Sequence, residues 1–349
     1  MLLVAVGLLS ACQARPAATP SISPEPFVVG LNLPRGLTFD EADNLIVVEA
    51  GTRAIDADDA SPTYTNHSSR VLLVTPNRQI TIVANGLPFA YLPALGTGVG
   101  ATDVAVMAGA RYVLTGEGPD PLSRSVLRIA PGDLPTPIAN ISNFAAKGVS
   151  SDLMNSGVIR ANPYALVAAP DGSALYMTDG ASGRVLRITL DGTIHTFAEL
   201  PDSPPLAGLG FGPDGRLYFT AFSPLPHVPG SGAVWVADAS GTVARVVAGL
   251  TMPIAVGFDA SGAMLVLEFG DGRQSQRLYV AGVGRLLRIA SNGRRTTLLD
   301  HLNYPTAMAF SHAGDLYIAV GGAFTEAGQG SVVKVSCLAL DVCPNKPNP

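Results

Sequence analysis

The stretch Gly208-Leu209-Gly210-Phe211, Asp214-Gly215, Leu217-Tyr218-Phe219, Ala233-Val234-Trp235-Val236, Ser240-Gly241 and Val243-Ala244-Arg245-Val246-Val247 reads as four short apolar strands, with tight turns after the first and the third. Asp-Gly and Ser-Gly dipeptides supply the positive φ that hairpin turns need. The same unit recurs on both sides of it. The first strand returns as Gly36-Leu37-Thr38-Phe39, Asp103-Val104-Ala105-Val106, Ala165-Leu166-Val167-Ala168, Ala255-Val256-Gly257-Phe258 and Ala307-Met308-Ala309-Phe310. Turns follow at Asp43-Asn44, Asp171-Gly172, Ser261-Gly262 and Ala313-Gly314. Second strands are expected at 45–48, 112–114, 175–177, 217–219, 264–267 and 316–319, and third strands at 71–74, 126–129, 185–188, 233–236, 286–289 and 332–335. Fourth strands fall at 80–83, 194–197, 243–247 and 296–299, with the second unit's near 137–141.

Six units of four antiparallel strands predict an all-β, six-bladed β-propeller. The sixth unit lacks a fourth strand, and the missing strand is found at the other end of the chain. Phe27-Val28-Val29-Gly30-Leu31 precedes Pro34 as Val246-Val247-Ala248-Gly249-Leu250 precedes Pro253. The N-terminal strand is therefore expected to complete the last blade, which joins the chain ends and hides a bare sheet edge. On this reading the propeller occupies 27–337, and 338–349 is a C-terminal tail.

Composition agrees with an all-β domain and narrows the partners. Charged residues make up 14%, the formal net charge is −5, and Gly (38) and Pro (28) are abundant enough to serve many turns. No Lys/Arg run is present, so a nucleic-acid partner is not expected. Residues 1–9 are almost wholly apolar and lead into Leu9-Ser10-Ala11-Cys12, which resembles a bacterial lipobox. The apolar run is too short to span a bilayer and suits a signal h-region. Residues 1–12 are read as a signal peptide with Cys12 as the lipidation site, and 13–26, rich in Ala, Pro and Ser, as a flexible tether. An ordinary cleaved signal peptide is the alternative. The expected location is extracytoplasmic, lipid-anchored to a bacterial membrane. Cys337 and Cys343 are candidates for a local disulfide in such a compartment.

Strand order places the first-to-second and third-to-fourth turns on one face, and these are short. The other connections lie on the opposite face and hold the long insertions 50–69, 88–102, 142–162, 221–232, 269–284 and 321–330. Long loops on one face of a rigid scaffold are where binding concentrates. Glu49, Glu117, Asp179 and Glu268 recur near this face at the ends of second strands. Such carboxylates either accept backbone hydrogen bonds from the next blade or converge on a hard cation such as Ca²⁺. Asp103 is more individual, because its counterparts are Gly or Ala, and Arg35 has uncharged counterparts throughout. Arg35, Asp103, Asn162, Tyr164, Glu49 and Glu268 are the ligand-binding candidates, with Asp103 and Asn162 the weak metal candidates. The five histidines sit in no nucleophile motif, neither G-x-S-x-G nor H-E-x-x-H.

Several runs resemble the ScyD/ScyE family of exported propellers. These are Asn162-Pro163-Tyr164-Ala165-Leu166, Arg184-Val185-Leu186-Arg187-Ile188, Gly30 to Leu37 with Asn44 to Thr52, Gly100-Ala101-Thr102-Asp103-Val104 and Leu265-Val266-Leu267-Glu268. The resemblance runs in order over about 27–336 and implies an NHL-like six-bladed propeller. It brings no catalytic residues with it. The chain departs from the family pattern at Ala165 and at Thr102, where Gly and His are often found. The expected function is a monomeric binding or scaffold module that takes a small molecule, glycan or envelope protein on its loop-rich face. A metal-dependent hydrolase or lactonase of the gluconolactonase-like type is the alternative, and a quinoprotein sugar dehydrogenase is a third reading. The first strands open on Arg35, Asp103, Asn162, Ala207, Ile254 and Thr306, of which two are good oxygen ligands.

Overall fold

The computed structural model describes residues 22–53, 64–92, 96–145, 161–224, 226–273, 279–340 and 343. It is an all-β, six-bladed propeller. Five sheets carry four antiparallel strands each, and the first blade has a fifth strand. The innermost strands are Pro34–Phe39, Ala101–Met107, Pro163–Ala168, Leu206–Phe211, Pro253–Phe258 and Ala307–Phe310. Each touches the next around the ring, and the last touches the first.

Blades stack face to face, so middle strands have apolar neighbours on both sides and alternation is lost there. Leu45–Glu49 and Leu217–Ala221 are buried at every position, whereas the outermost strand Val243–Leu250 is mostly exposed. The core lies in the seams. Ile46, Val48 and Val71 of the first blade, for example, meet Val104, Val113 and Leu127 of the second.

Glu25–Leu31 pairs antiparallel with Gly330–Val335, with Val28 opposite Val332 and Leu31 opposite Gly330, and so completes the sixth blade. Phe27 and Phe39 both stand edge-on to Tyr317, at 4.9 and 5.0 Å between centroids. Burial of Phe27, Val28 and Leu31 at this seam contributes on the order of 2 kcal/mol per side chain. Beyond the last strand, Cys337 and Cys343 are joined by a disulfide with a Cα–Cα distance of 4.7 Å. Cys12 and the tether lie outside the described residues, apart from the tether's end.

The first blade is more elaborate than its sequence implies. Its third and fourth strands run Tyr64–Val74 and Ile80–Leu92, and a short strand, Thr97–Val99, pairs back onto Ala90–Leu92. The sequence of this extension is polar from 64 to 69 and carries Asn85-Gly86 and Pro88, so it reads as loop. Bulges between Asn66 and Ser69 and between Ser69 and Val71 let it bend over the ring.

Candidate functional site

Two populations of carboxylate lie near the loop-rich face. Glu49, Asp179 and Glu268 each end a second strand and are buried. Each accepts a backbone N–H seventeen residues upstream, from Asn32 (2.6 Å), Asn162 (2.7 Å) and Thr251 (2.6 Å) respectively. The donors sit in the connection arriving from the preceding blade, not in the next blade. The other oxygens of Glu49 and Glu268 pair with the Nε atoms of Arg70 and Arg285, the residues directly opposite on the third strands. Asp179 instead accepts from Ser182 Oγ at 2.5 Å. In two of these connections a residue held left-handed precedes a proline, Leu33 (φ 52°) before Pro34 and Met252 (φ 52°) before Pro253. That geometry is unfavourable for an L-residue and doubly so before proline, so the carboxylate latches fasten a strained corner.

Asp103 belongs to a different layer. Its register counterparts on the innermost strands are Gly36, Ala165, Gly208, Ala255 and Ala307. Neighbouring strands approach closely here. A Cβ on Gly208 would lie 2.4 Å from Ala255 Cα, and one on Gly36 would lie 2.2 Å from Asp103 Oδ1. The Asp103 carboxyl therefore fits only because Gly36 faces it. Its Oδ1 accepts the Val104 N–H and its Oδ2 the Leu166 N–H, both at 2.8 Å, tying the second blade to the third.

One layer nearer the loops stand Arg35, Thr102, Tyr164, Ala207, Ile254 and Thr306. Both threonine hydroxyls are engaged, Thr306 donating to Pro34 O at 2.7 Å and Thr102 to Leu114 O at 3.3 Å. Arg35 donates through Nη2 to Gly98 O at 2.7 Å, but its buried Nε has no partner among the described residues. These residues, Ala207 excepted, head a central channel of about 410 Å³ that runs to Phe39, Phe310 and His312 on the short-turn face. Among the described residues, Thr102, now part of an innermost strand, is the one member of the long insertions that lines it.

Burial sets the electrostatics of this channel head. It pushes the Asp103 carboxyl up to about 7, against the pull of its two backbone N–H donors. It lowers Arg35 from its ordinary value, an effect opposed by Tyr164, and it raises the Tyr164 phenol, opposed by Arg35. A guanidinium stays cationic in proteins. At neutral pH Arg35 is thus a cation in the same channel lining as a carboxyl whose ionisation burial disfavours.

On the loop-rich side, the first blade's extension meets both the channel head and the last blade. The backbone at Gly98, on the first blade's fifth strand, grips Arg35, and Thr97 Oγ1 accepts the Phe324 N–H at 3.4 Å. Phe324 joins Phe222, His227, Phe269, Tyr279 and Tyr304 in a continuous aromatic cluster, with Tyr279–Phe324 and Tyr304–Phe324 centroids 5.0 and 5.3 Å apart. Tyr164 packs against the same core, which includes Ile254, Phe269 and Tyr304. His227 is buried there, its ring nitrogens 2.7 Å from Ser223 O and 3.1 Å from the Tyr279 hydroxyl.

Of the sequence candidates, the fold brings Arg35, Asp103 and Tyr164 together at the channel head. It places Glu49 and Glu268 in the latches and leaves Asn162 outside the channel lining. Sequence reasoning missed Gly36, Gly98 and the aromatic cluster. The one signal for the cluster was an aromatic residue in each of several long loops. Among the described residues, no group of three or more His, Cys, Asp or Glu is arranged to hold a metal. Both Asp103 oxygens already accept backbone N–H groups, and Asn162 lies elsewhere, so this pair does not fit a catalytic cation that needs about three protein ligands.

No family model matches the chain, and no curated protein is similar to it in sequence. Many solved structures share its fold. A luciferin-regenerating enzyme superposes with a TM-score of 0.57 at 14% identity, over 90% of this chain and 95% of that one. A protein assigned as a gluconolactonase gives 0.55 at 14% identity, over 90% and 93%. A Thermus thermophilus protein assigned as an oxidoreductase (glucose dehydrogenase) gives 0.55 at 17% identity, over 90% and 100%. At these identities the likeness establishes the fold, a six-bladed β-propeller of the kind found in proteins with several different activities.

Proposed function

We propose that this protein is an exported, lipid-anchored binding protein that takes a small anion into its central channel. Arg35 is the recognition group. The observation that carries this reading is the buried Arg35 Nε, which has no partner among the described residues and sits at the head of a channel of about 410 Å³. A buried polar group left unpaired is costly, and functional sites are where such costs are kept. Pockets of this size suit small molecules. Tyr164 contributes a wall and a hydroxyl, and Asp103 contributes a carboxyl that donates when protonated. The channel reaches the short-turn face at Phe39, Phe310 and His312. The resemblance to ScyD/ScyE proteins belongs to the same proposal, as does lipidation at Cys12. The disulfide between Cys337 and Cys343 suits an oxidising compartment.

The test is a thermal-shift panel of small carboxylic and sulfonic acids alongside their neutral amides, on wild type and Arg35→Met. At least one acid should raise the melting temperature of wild type alone, with its amide inert. Shifts that persist in Arg35→Met, or a panel in which acids and amides behave alike, would refute the reading. For the anchor, a fatty-acid analogue fed to expressing cells should label wild type and not Cys12→Ser; equal labelling of both would remove that part.

A further inference from the structure

Outside the channel, the seam between the fourth and fifth blades holds a groove. At the two preceding seams, the turn joining the third and fourth strands presses its glycine onto the outer strand of the blade before. A Cβ on Gly192 would lie 2.0 Å from Ile138 O, and one on Gly241 would lie 1.9 Å from Phe197 O. Direct backbone contact closes those seams. The fifth blade's turn at Asn292-Gly293 stands away, with nothing within 4 Å of a Cβ on Gly293, as is also true of Gly132 in the second blade's turn. The gap is a groove of about 880 Å³.

We infer that this groove docks an extended acidic peptide segment bearing an apolar side chain. Its floor is apolar, formed by Val247, Phe258, Met264, Ile289 and Leu298, and Val246 beside them is 43% exposed. Its rim holds Arg288, Arg294 and Arg295, in a chain whose net charge is −5. Arg288 is paired with Asp259 at 3.1 Å, and Arg295 reaches across the gap to Gly249 O (2.7 Å) and Ala248 O. The Arg294 guanidinium has no partner among the described residues, and its residue is exposed. One wall of the groove is formed by Val246, Val247 and Ala248 of Val243–Leu250, the outermost strand of its sheet. Apart from the Ala248 and Gly249 carbonyls that Arg295 takes, this edge strand offers unpaired N–H and C=O groups, and an extended peptide satisfies them while its alternate side chains reach the floor. This favours a peptide over a simple amphiphile. An anionic bilayer is disfavoured, because Asp171, Asp191, Asp214 and Asp238 occupy turns around the same face. Hydrogen bonds from neighbouring residues hold the carboxyls of Asp171, Asp191 and Asp238 below the ordinary range, and at Asp214 they do so against the opposing effect of burial.

The probe is a fluorescent heptapeptide alternating glutamate with valine and phenylalanine, compared with its lysine counterpart and with phosphatidylglycerol vesicles. The acidic peptide should bind saturably, weaken with salt, and protect residues 243–250 from amide exchange. Arg294→Glu, an exposed change that leaves the fold intact, should weaken binding by about tenfold or more, and Val246→Asp should weaken it independently. Binding unchanged in Arg294→Glu, equal binding of the lysine peptide, no saturable binding, or vesicle binding that rivals the peptide would each overturn the proposal.

Discussion

Glu268 and Asp103 are both carboxylates withdrawn from bulk water, and they do opposite things. Glu268 is completely buried and spends both oxygens on Thr251 N and Arg285. It has equivalents in Glu49 and Asp179, so the role is repeated around the ring. Asp103 has no equivalent. It occupies a layer otherwise made of Gly and Ala, its carboxyl is pushed up to about 7, and it shares the channel lining with Arg35, whose Nε is unpaired among the described residues. In a repeat protein the residue that recurs belongs to the architecture, and the one that breaks the repeat marks where selection asked for something else.

Four changes sharpen or break this contrast. Deleting Phe27-Val28-Val29-Gly30-Leu31 removes the closing strand and exposes the edge of Gly330–Val335; loss of one cooperative unfolding transition by calorimetry is expected, and an unchanged melt would contradict closure. Glu268→Ala strands the Thr251 N–H and Arg285 at a strained corner and should cost about 3–4 kcal/mol in urea unfolding. Asp103→Asn acts through pH. Because the folded carboxyl titrates near 7 and the unfolded one near 3.8, the folded state holds the extra proton in between, so wild-type stability falls as pH rises from about 4 to 7. With allowance for partial solvent contact, that slope amounts to about 2–3 kcal/mol, and Asp103→Asn should flatten it in a pH series of unfolding free energies. Gly36→Ala puts a methyl against Asp103 Oδ1 and Cα and should cost about 1–2 kcal/mol while shifting the Asp103 titration measured by carboxyl NMR.

Much of the architecture was legible because propeller geometry writes itself locally. Apolar tetrads recur at each blade and short turns, most with glycine, at most of them, and the orphan strand before Pro34 could be matched to the blade that lacked one. The rest depended on contacts remote in sequence. The extension of the first blade is hidden by polar residues and Asn85-Gly86. Its consequence, Gly98 O meeting Arg35 across 63 residues, leaves no local trace. Glu49 and Glu268 drew the same attention as Asp103, since a carboxylate in sequence does not reveal whether its oxygens are engaged. The useful discriminator was present all the same: counterparts of Asp103 are Gly or Ala, whereas Glu49, Asp179 and Glu268 share a place.

The account turns on Arg35 being retained for a ligand and not for the fold, and the unfolding free energy of Arg35→Met measures this without knowing the ligand. Loss of the bond to Gly98 O and relief of a buried, half-satisfied guanidinium should nearly cancel, leaving the variant within about 1 kcal/mol of wild type or more stable. A loss of about 3 kcal/mol, matching Glu268→Ala, would place Arg35 among the structural latches and contradict the account.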